Sequence, residues 1–158
     1  MAAFGLKPWG ALLDRGRYQK GTAATAVFIQ DVCSITADGI VEAAAAIATG
    51  IMGANLTYSA ASVQADIVVA DCPSQKFEIE HDGTATETMN GLTADHVAGT
   101  GSATTLLSGH DLDTSDANVG DGGFLILENV LRIGNTLGAQ SDAIVRMVRT
   151  PYNVTTGL

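Results

Sequence analysis

The densest run of oxygen ligands in the sequence is Asp111-Leu112-Asp113-Thr114-Ser115-Asp116, followed by Asp121. The chemistry it suggests is calcium binding. A helix-loop-helix calcium loop takes oxygen ligands at positions 1, 3 and 5, glycine at 6 and glutamate at 12. Counted from Asp111, position 6 is Asp116 and position 12 is Gly122. The motif fails at both, and a solvated acidic loop is the better reading. Ser108, His110 and Asp111 carry the residue types of a nucleophilic relay. Neighbours in one loop cannot form it, because its roles must converge from separate elements. Gly99-Thr100-Gly101-Ser102-Ala103-Thr104 is half of a dinucleotide fingerprint, without the third glycine and without a following helix, so it reads as a flexible turn. His81 shares a strand face with Phe77 and Ile79 and reads as a hydrogen-bonded core residue. His96 and His110 lie far in sequence from Cys33 and Cys72, and no zinc spacing exists. The sequons at Asn55 and Asn153 come with no sign of export. The residues thus offer no catalytic constellation, no metal site and no cofactor site, which favours a non-enzyme.

The elements that would position these side chains are strands. Ala65–Asp82 contains two of them, separated at Pro73-Ser74-Gln75. In the second, Phe77, Ile79 and His81 alternate with Lys76, Glu78 and Glu80, the period of a half-buried strand with the charged set facing solvent. Ile67-Val68-Val69 is continuous and β-branched, as in a strand covered on both faces. Proline has no ladder donor and belongs in the connection, so the stretch reads as a β-hairpin. Residues 24–36 read as one strand or two short ones, and Ala37-Asp38-Gly39 as a turn. Ile40–Ala48 is alanine-rich and reads as a strand followed by a loop. Gly50–Tyr58 reads as a strand with glycine at bulges. Phe124–Ile133 and Ala143–Val148 are the clearest strands. The Gly/Thr/Asp-rich tract Gly83–Gly123 is expected to project from the domain, with one helical turn at Thr93–Val97. Several short strands with turns between them specify a mainly all-β protein, an antiparallel β-barrel or β-sandwich.

Residues 1–22 hold four glycines and a proline among Phe4, Leu6, Trp9, Leu12, Leu13 and Tyr18. They read as an extended, irregular N-terminal arm ahead of a single β-rich domain over 23–158. An arm bearing the only tryptophan must be covered, either by its own domain or by a neighbouring subunit. Aromatic residues with arginine are the usual anchors of an interface, which makes Phe4, Lys7, Trp9, Arg15, Arg17 and Tyr18 the candidate contact residues. Charge is also segregated. Lys7, Arg15, Arg17 and Lys20 face a single acid, Asp14, within residues 1–20, whereas Lys76 is the only base among fifteen acids in 21–131. An acidic body argues against nucleic-acid binding, because phosphate contacts need a basic surface. Cys33 and Cys72 read as free thiols in a reducing compartment. The N-terminus lacks the apolar stretch of a signal peptide. Ile40–Ala54, the most apolar window, is too short and too interrupted to span a bilayer, so a soluble protein without membrane partners is expected.

Several segments occur here in a familiar order: MAAFGLKP, ATAVFIQDVCSI, IVVADCPSQKFEIE, LTADHVAGTGSATTLLSGHDLDTS, LILENVLRIGN and IVRMVRTPYN. With them the chain resembles the cement, or head decoration, proteins of tailed bacteriophages, in particular podovirus-like ones. The basic 10–20 segment and the alanine-rich 40–48 segment depart from that pattern. The resemblance implies a β-rich virion protein on the outside of the assembled head. There it would clamp copies of the major capsid protein, often as a homo-oligomer (dimer or trimer). The alternative is a tail-fibre or receptor-binding module that uses Gly83–Gly123 to bind glycans.

Overall fold

A computed structural model describes residues 4–21, 25–46, 50–120 and 122–151. Among them are two five-stranded antiparallel sheets and a two-stranded ribbon. The first sheet has the order β1-β7-β12-β11-β8, built from Lys7–Pro8, Lys76–Glu80, Asp142–Met147, Phe124–Asn129 and Thr93–Ala94. The second has the order β2-β6-β5-β3-β4, built from Gly16–Lys20, Ala65–Ala70, Ile51–Asn55, Val32–Ile35 and Val41–Ala43. Strands β9 (His96–Val97) and β10 (Asp111–Leu112) form the ribbon. The protein is all-β, a sandwich of antiparallel sheets, as the strand pattern implied.

The core between the sheets follows from alternation. Phe77 and Ile79, Phe124 and Ile126, and Ala143, Val145 and Met147 point one way from the first sheet, and Val32, Ile51 and Ala54 meet them from the second. Each buried aliphatic or aromatic side chain of this size contributes about 1.5–3 kcal/mol relative to exposure. A second cluster occupies the other side of the second sheet, where Cys33, Val41, Met52, Ile67 and Val69 are buried against Tyr18. What shields it is curvature. The edge strands β2 and β4 come into contact, and Gly21 lies so close to Ile40 that an added Cβ would sit 3.1 Å from it. The curl is assisted at Gly53, at φ +143°, where a Cβ would fall 1.9 Å from the Ala70 carbonyl oxygen. The β3–β5 register shifts at this point, between Cys33 and Ser34. This is the bulge glycine expected in Gly50–Tyr58.

The Ala65–Asp82 segment corrects the hairpin reading. Both of its strands form, but they belong to different sheets: β6 lies between β2 and β5, while β7 lies between β1 and β12. The turn at Cys72–Gln75, closed by Gln75 N–H donating to the Cys72 carbonyl, carries the chain from one layer to the other. Period-two alternation reports which face is buried and says nothing about the neighbouring strand. Glu78 and Glu80 do lie on the face opposite Phe77 and Ile79, but they are not solvent-facing, since both are buried.

The N-terminal segment, described over residues 4–21, is not irregular there. Lys7-Pro8 pairs with Glu78 and Phe77 at an edge where the missing proline donor costs nothing. Gly16–Lys20 pairs residue for residue with 65–69 of β6. Leu6 is fully buried in the core. Gly83–Gly123 does not project either: Ala85, Ala94, His96, His110 and Leu112 are all buried. The helical turn expected at Thr93–Val97 is replaced by strands β8 and β9, because the Thr93 hydroxyl accepts the N–H groups of Gly120 and Gly122 and caps no helix. The helical turns described in this tract are at Glu87–Met89 and Thr114–Asp116. No helix among the described residues is long and apolar enough to cross a membrane.

Candidate interaction surface and a carboxylate pocket

The loop between β1 and β2 is held by one side chain. Gln75, 1% exposed, donates from Nε2 to the Trp9 carbonyl at 3.1 Å and the Lys76 carbonyl at 2.8 Å. Its Oε1 accepts the Leu13 N–H at 2.9 Å. Trp9 N–H in turn donates to the Lys76 carbonyl. The backbone from Trp9 to Leu13 is thereby pinned while Trp9, Leu12 and Leu13 remain 40%, 41% and 56% exposed. Three large apolar groups facing water from one short, immobilised loop form a ridge suited to an interface.

The six contact residues named from sequence divide. Trp9 is on the ridge, and Arg15 and Arg17 are exposed beyond it, with Arg17 loosely paired to Asp66 at 3.8 Å. Lys7 is exposed along part of its length but committed to Glu78 at 3.2 Å. Phe4 is half-buried, 5.9 Å from the Lys7 ammonium. Tyr18 is half-buried and donates its hydroxyl to Asp71, which leaves it a structural residue. Sequence reasoning missed Leu12, Leu13 and Gln75 as site residues. The adjacent leucines in a segment rich in breakers were a usable signal. Nothing marked Gln75, because Trp9 and Leu13, which it pins, lie more than sixty positions away.

On the outer side of the first sheet, buried carboxylates are met by cations. The Arg132 guanidinium contacts Glu78 and binds Asp142 at 2.6 Å, and both carboxylates are fully buried. Asp142 N–H also donates to Asn135 Oδ1 at 2.9 Å. Lys7 completes the group. Nearby, burial raises the pKa of Glu80, and Asp111 adds to the shift.

The second feature is a cavity of about 430 Å³. Its walls are the alanines of β4 and the loop after it (Ala43–Ala45), Ala98, and the Gly99-Thr100-Gly101 turn, with Phe28 across it. Asp31 and His110 form its polar end. Asp31 Oδ2 accepts the Phe28 N–H at 2.8 Å, while Oδ1 is buried without a well-formed hydrogen bond, 3.6 Å from His110 Nε2. His110 Nδ1 accepts the Val32 N–H at 3.4 Å. This fixes the tautomer with the proton on Nε2. His96 stacks on His110 with ring centroids 5.2 Å apart, and its Nε2 faces the Ala44 carbonyl at 3.3 Å. Burial pushes both imidazoles down to about 4, with His110 contributing to the shift of His96. Burial pushes Asp31 up to about 6, opposed by the Ser108 hydroxyl and the Phe28 N–H.

The relay residue types therefore do converge, with Asp31 in the acid's place and Asp111 elsewhere, but their wiring is not that of a relay. Both imidazole nitrogens are committed, one to the Val32 backbone and one towards Asp31. The Ser108 hydroxyl instead accepts the backbone N–H of His110 at 3.0 Å. No nitrogen is left to take a proton from Ser108.

The remaining candidates fall into place individually. His81 is buried, with Nε2 3.1 Å from Asn129 Oδ1, the core role expected of it. In the acidic run, Asp113 accepts from the Ser115 N–H and Asp116 from the Asp95 N–H. These carboxylates serve separate backbone groups, and among the described residues no three potential ligands are placed to hold a metal. Asn55 is fully buried and donates to the Phe28 and Thr57 carbonyls, so it presents no acceptor for a glycan. Asn153 lies outside the described residues. Cys33 is buried, Cys72 is half-buried, and both are unbridged. No family model and no curated protein matches the sequence.

Proposed function

We propose that this chain is a structural interaction protein, a capsid cement (decoration) protein that binds the outer surface of a tailed-phage head and joins neighbouring copies of the major capsid protein. The sequence resemblance suggests the partner. The observation that carries the reading is the Gln75-pinned ridge of Trp9, Leu12 and Leu13. A pinned loop loses little entropy on docking, so most of the gain from apolar burial remains available for binding. Arg15 and Arg17 beside it supply polar anchors at the rim. Weak contacts of this kind, repeated over a shell by copies that also associate with one another, add up through multivalency.

The test is cosedimentation of purified protein with expanded, empty heads. Wild type is expected to saturate the particles, and Trp9→Ser with Leu13→Ser to lose at least tenfold in affinity while keeping the wild-type unfolding midpoint. Removing residues 1–20 is not a useful test, since it would take away Leu6 from the core and the whole of β2. Equal binding by the double variant would remove the ridge from the interface. Retention on host cells or glycans without head binding would replace this reading with that of a receptor-binding module.

A further inference from the structure

The cavity beside Asp31 is not explained by a surface-binding role, and neither is the alanine run that walls it. Ordinary packing would fill such a space with larger side chains. Here the chain places methyl groups and bare backbone around it: Ala43–Ala45 on one side, Ala98 and Gly99–Gly101 on the other. Its volume of about 430 Å³ lies within the range of small-ligand sites. At one end is a carboxylate oxygen, Asp31 Oδ1, that is buried and lacks a well-formed hydrogen bond. Among the described residues the only basic side chain lining the cavity, His110, already commits Nδ1 to the Val32 N–H. The site thus has an apolar body and an acceptor in need of a strong donor, within an acidic chain of net charge −9. An anion is disfavoured, and a neutral alcohol would leave the charge unmatched. A cation gives Asp31 a charge-assisted hydrogen bond.

We propose that this cavity is a binding site for a primary ammonium group carried on a short apolar stem, with the ammonium on Asp31 Oδ1 and the stem against Phe28 and the alanine wall. The same chemistry is offered by a free alkylamine and by a lysine side chain of a partner protein. The groups facing Asp31 are His110 and Ser108, with His96 stacked behind and Cys33 close by. None of them is cationic near neutral pH.

The experiment is a titration of the full chain at pH 7.5 with n-pentylammonium chloride, n-pentanol and pentanoate, followed through the His96 and His110 ring resonances. Saturable shifts with pentylammonium are expected, at least tenfold weaker with pentanol and absent with pentanoate. The pentylammonium affinity should fall as pH is lowered through about 6 and Asp31 takes up its proton. Asp31→Asn, which keeps an acceptor for the Phe28 N–H, should weaken pentylammonium at least tenfold. Ala98→Leu, which fills the cavity and leaves the carboxylate in place, should abolish binding of every probe. Nα-acetyl-lysine methylamide separates the sources: shifts with it as well as with pentylammonium support a side-chain ligand, and shifts with pentylammonium alone support a free amine. Equal binding of pentanol and pentylammonium, or unchanged pentylammonium binding by both variants, overturns the proposal.

Discussion

Asp142 and Asp31 are both buried acids, 0% and 2% exposed, yet they are treated in opposite ways. Asp142 shares Arg132 with Glu78, and this cation offsets part of the upward shift that burial gives its pKa; together these residues tie the β11–β12 loop across the outer side of the first sheet. Asp31 is given backbone and hydroxyl donors and a neutral imidazole, but no cation. A buried charge costs several kcal/mol unless it is matched. The first arrangement therefore holds the fold together, while the second stores an unmet demand for a donor beside an empty space.

The largest effect should come from breaking the matched set. Arg132→Ala removes the nearest cation from two fully buried carboxylates and leaves Glu78 only the half-exposed Lys7, and urea denaturation at pH 7.5 should show a loss of about 3–5 kcal/mol. Asp31→Asn should have the opposite sign. The folded-state pKa of Asp31 is about 6, above its ordinary 3.8, so folding disfavours the ionised form. That penalty is fully present above about pH 6 and is relieved as pH falls towards the ordinary value. The variant should be about 1–3 kcal/mol more stable than wild type at pH 8, with the difference vanishing near pH 4. A loss of stability at pH 8 would mean that Asp31 is matched after all.

The histidines sharpen the contrast. His96 and His110 titrate at about 4 in the fold against an ordinary 6.5. Their contribution is present above 6.5 and is lost as pH falls through 4, the reverse of Asp31. In wild type the two trends oppose each other. In Asp31→Asn the imidazoles act without that compensation, and stability measured between pH 6.5 and 4 should fall more steeply than in wild type. The smallest effect is expected for Lys7→Ala. Its ammonium is half exposed and Glu78 retains Arg132, so the cost should stay within about 1 kcal/mol.

The strands themselves were readable because β-branched runs and alternation record burial directly, as in Ile67–Val69, Phe77/Ile79 and Phe124–Ile126. Their partners were not. The same alternation fits a hairpin and a crossover between layers, and only the filling of both edges of β6 and β7 distinguishes them. Glu78 and Lys20 were hidden for a related reason. A charged side chain on a strand reads as solvent-facing unless its partner is known, and Lys20 is buried because the Ala60 and Val63 carbonyls accept its ammonium protons at 2.9 Å each. The pocket was visible only in fragments. The alanine run, the glycine turn and His110 each drew notice in the sequence, but Asp31 did not, and distant segments had to fold before the four formed one site.

The strand edges have a consequence of their own. In the second sheet the two margins lean on each other, and in the first they end in two-residue strands, one of them containing Pro8. Among the described residues no long bare margin is offered as a template on which another polypeptide could extend the sheet, the usual route to fibrils and precipitates. Between copies, that leaves side chains rather than strand pairing as the means of recognition these margins favour.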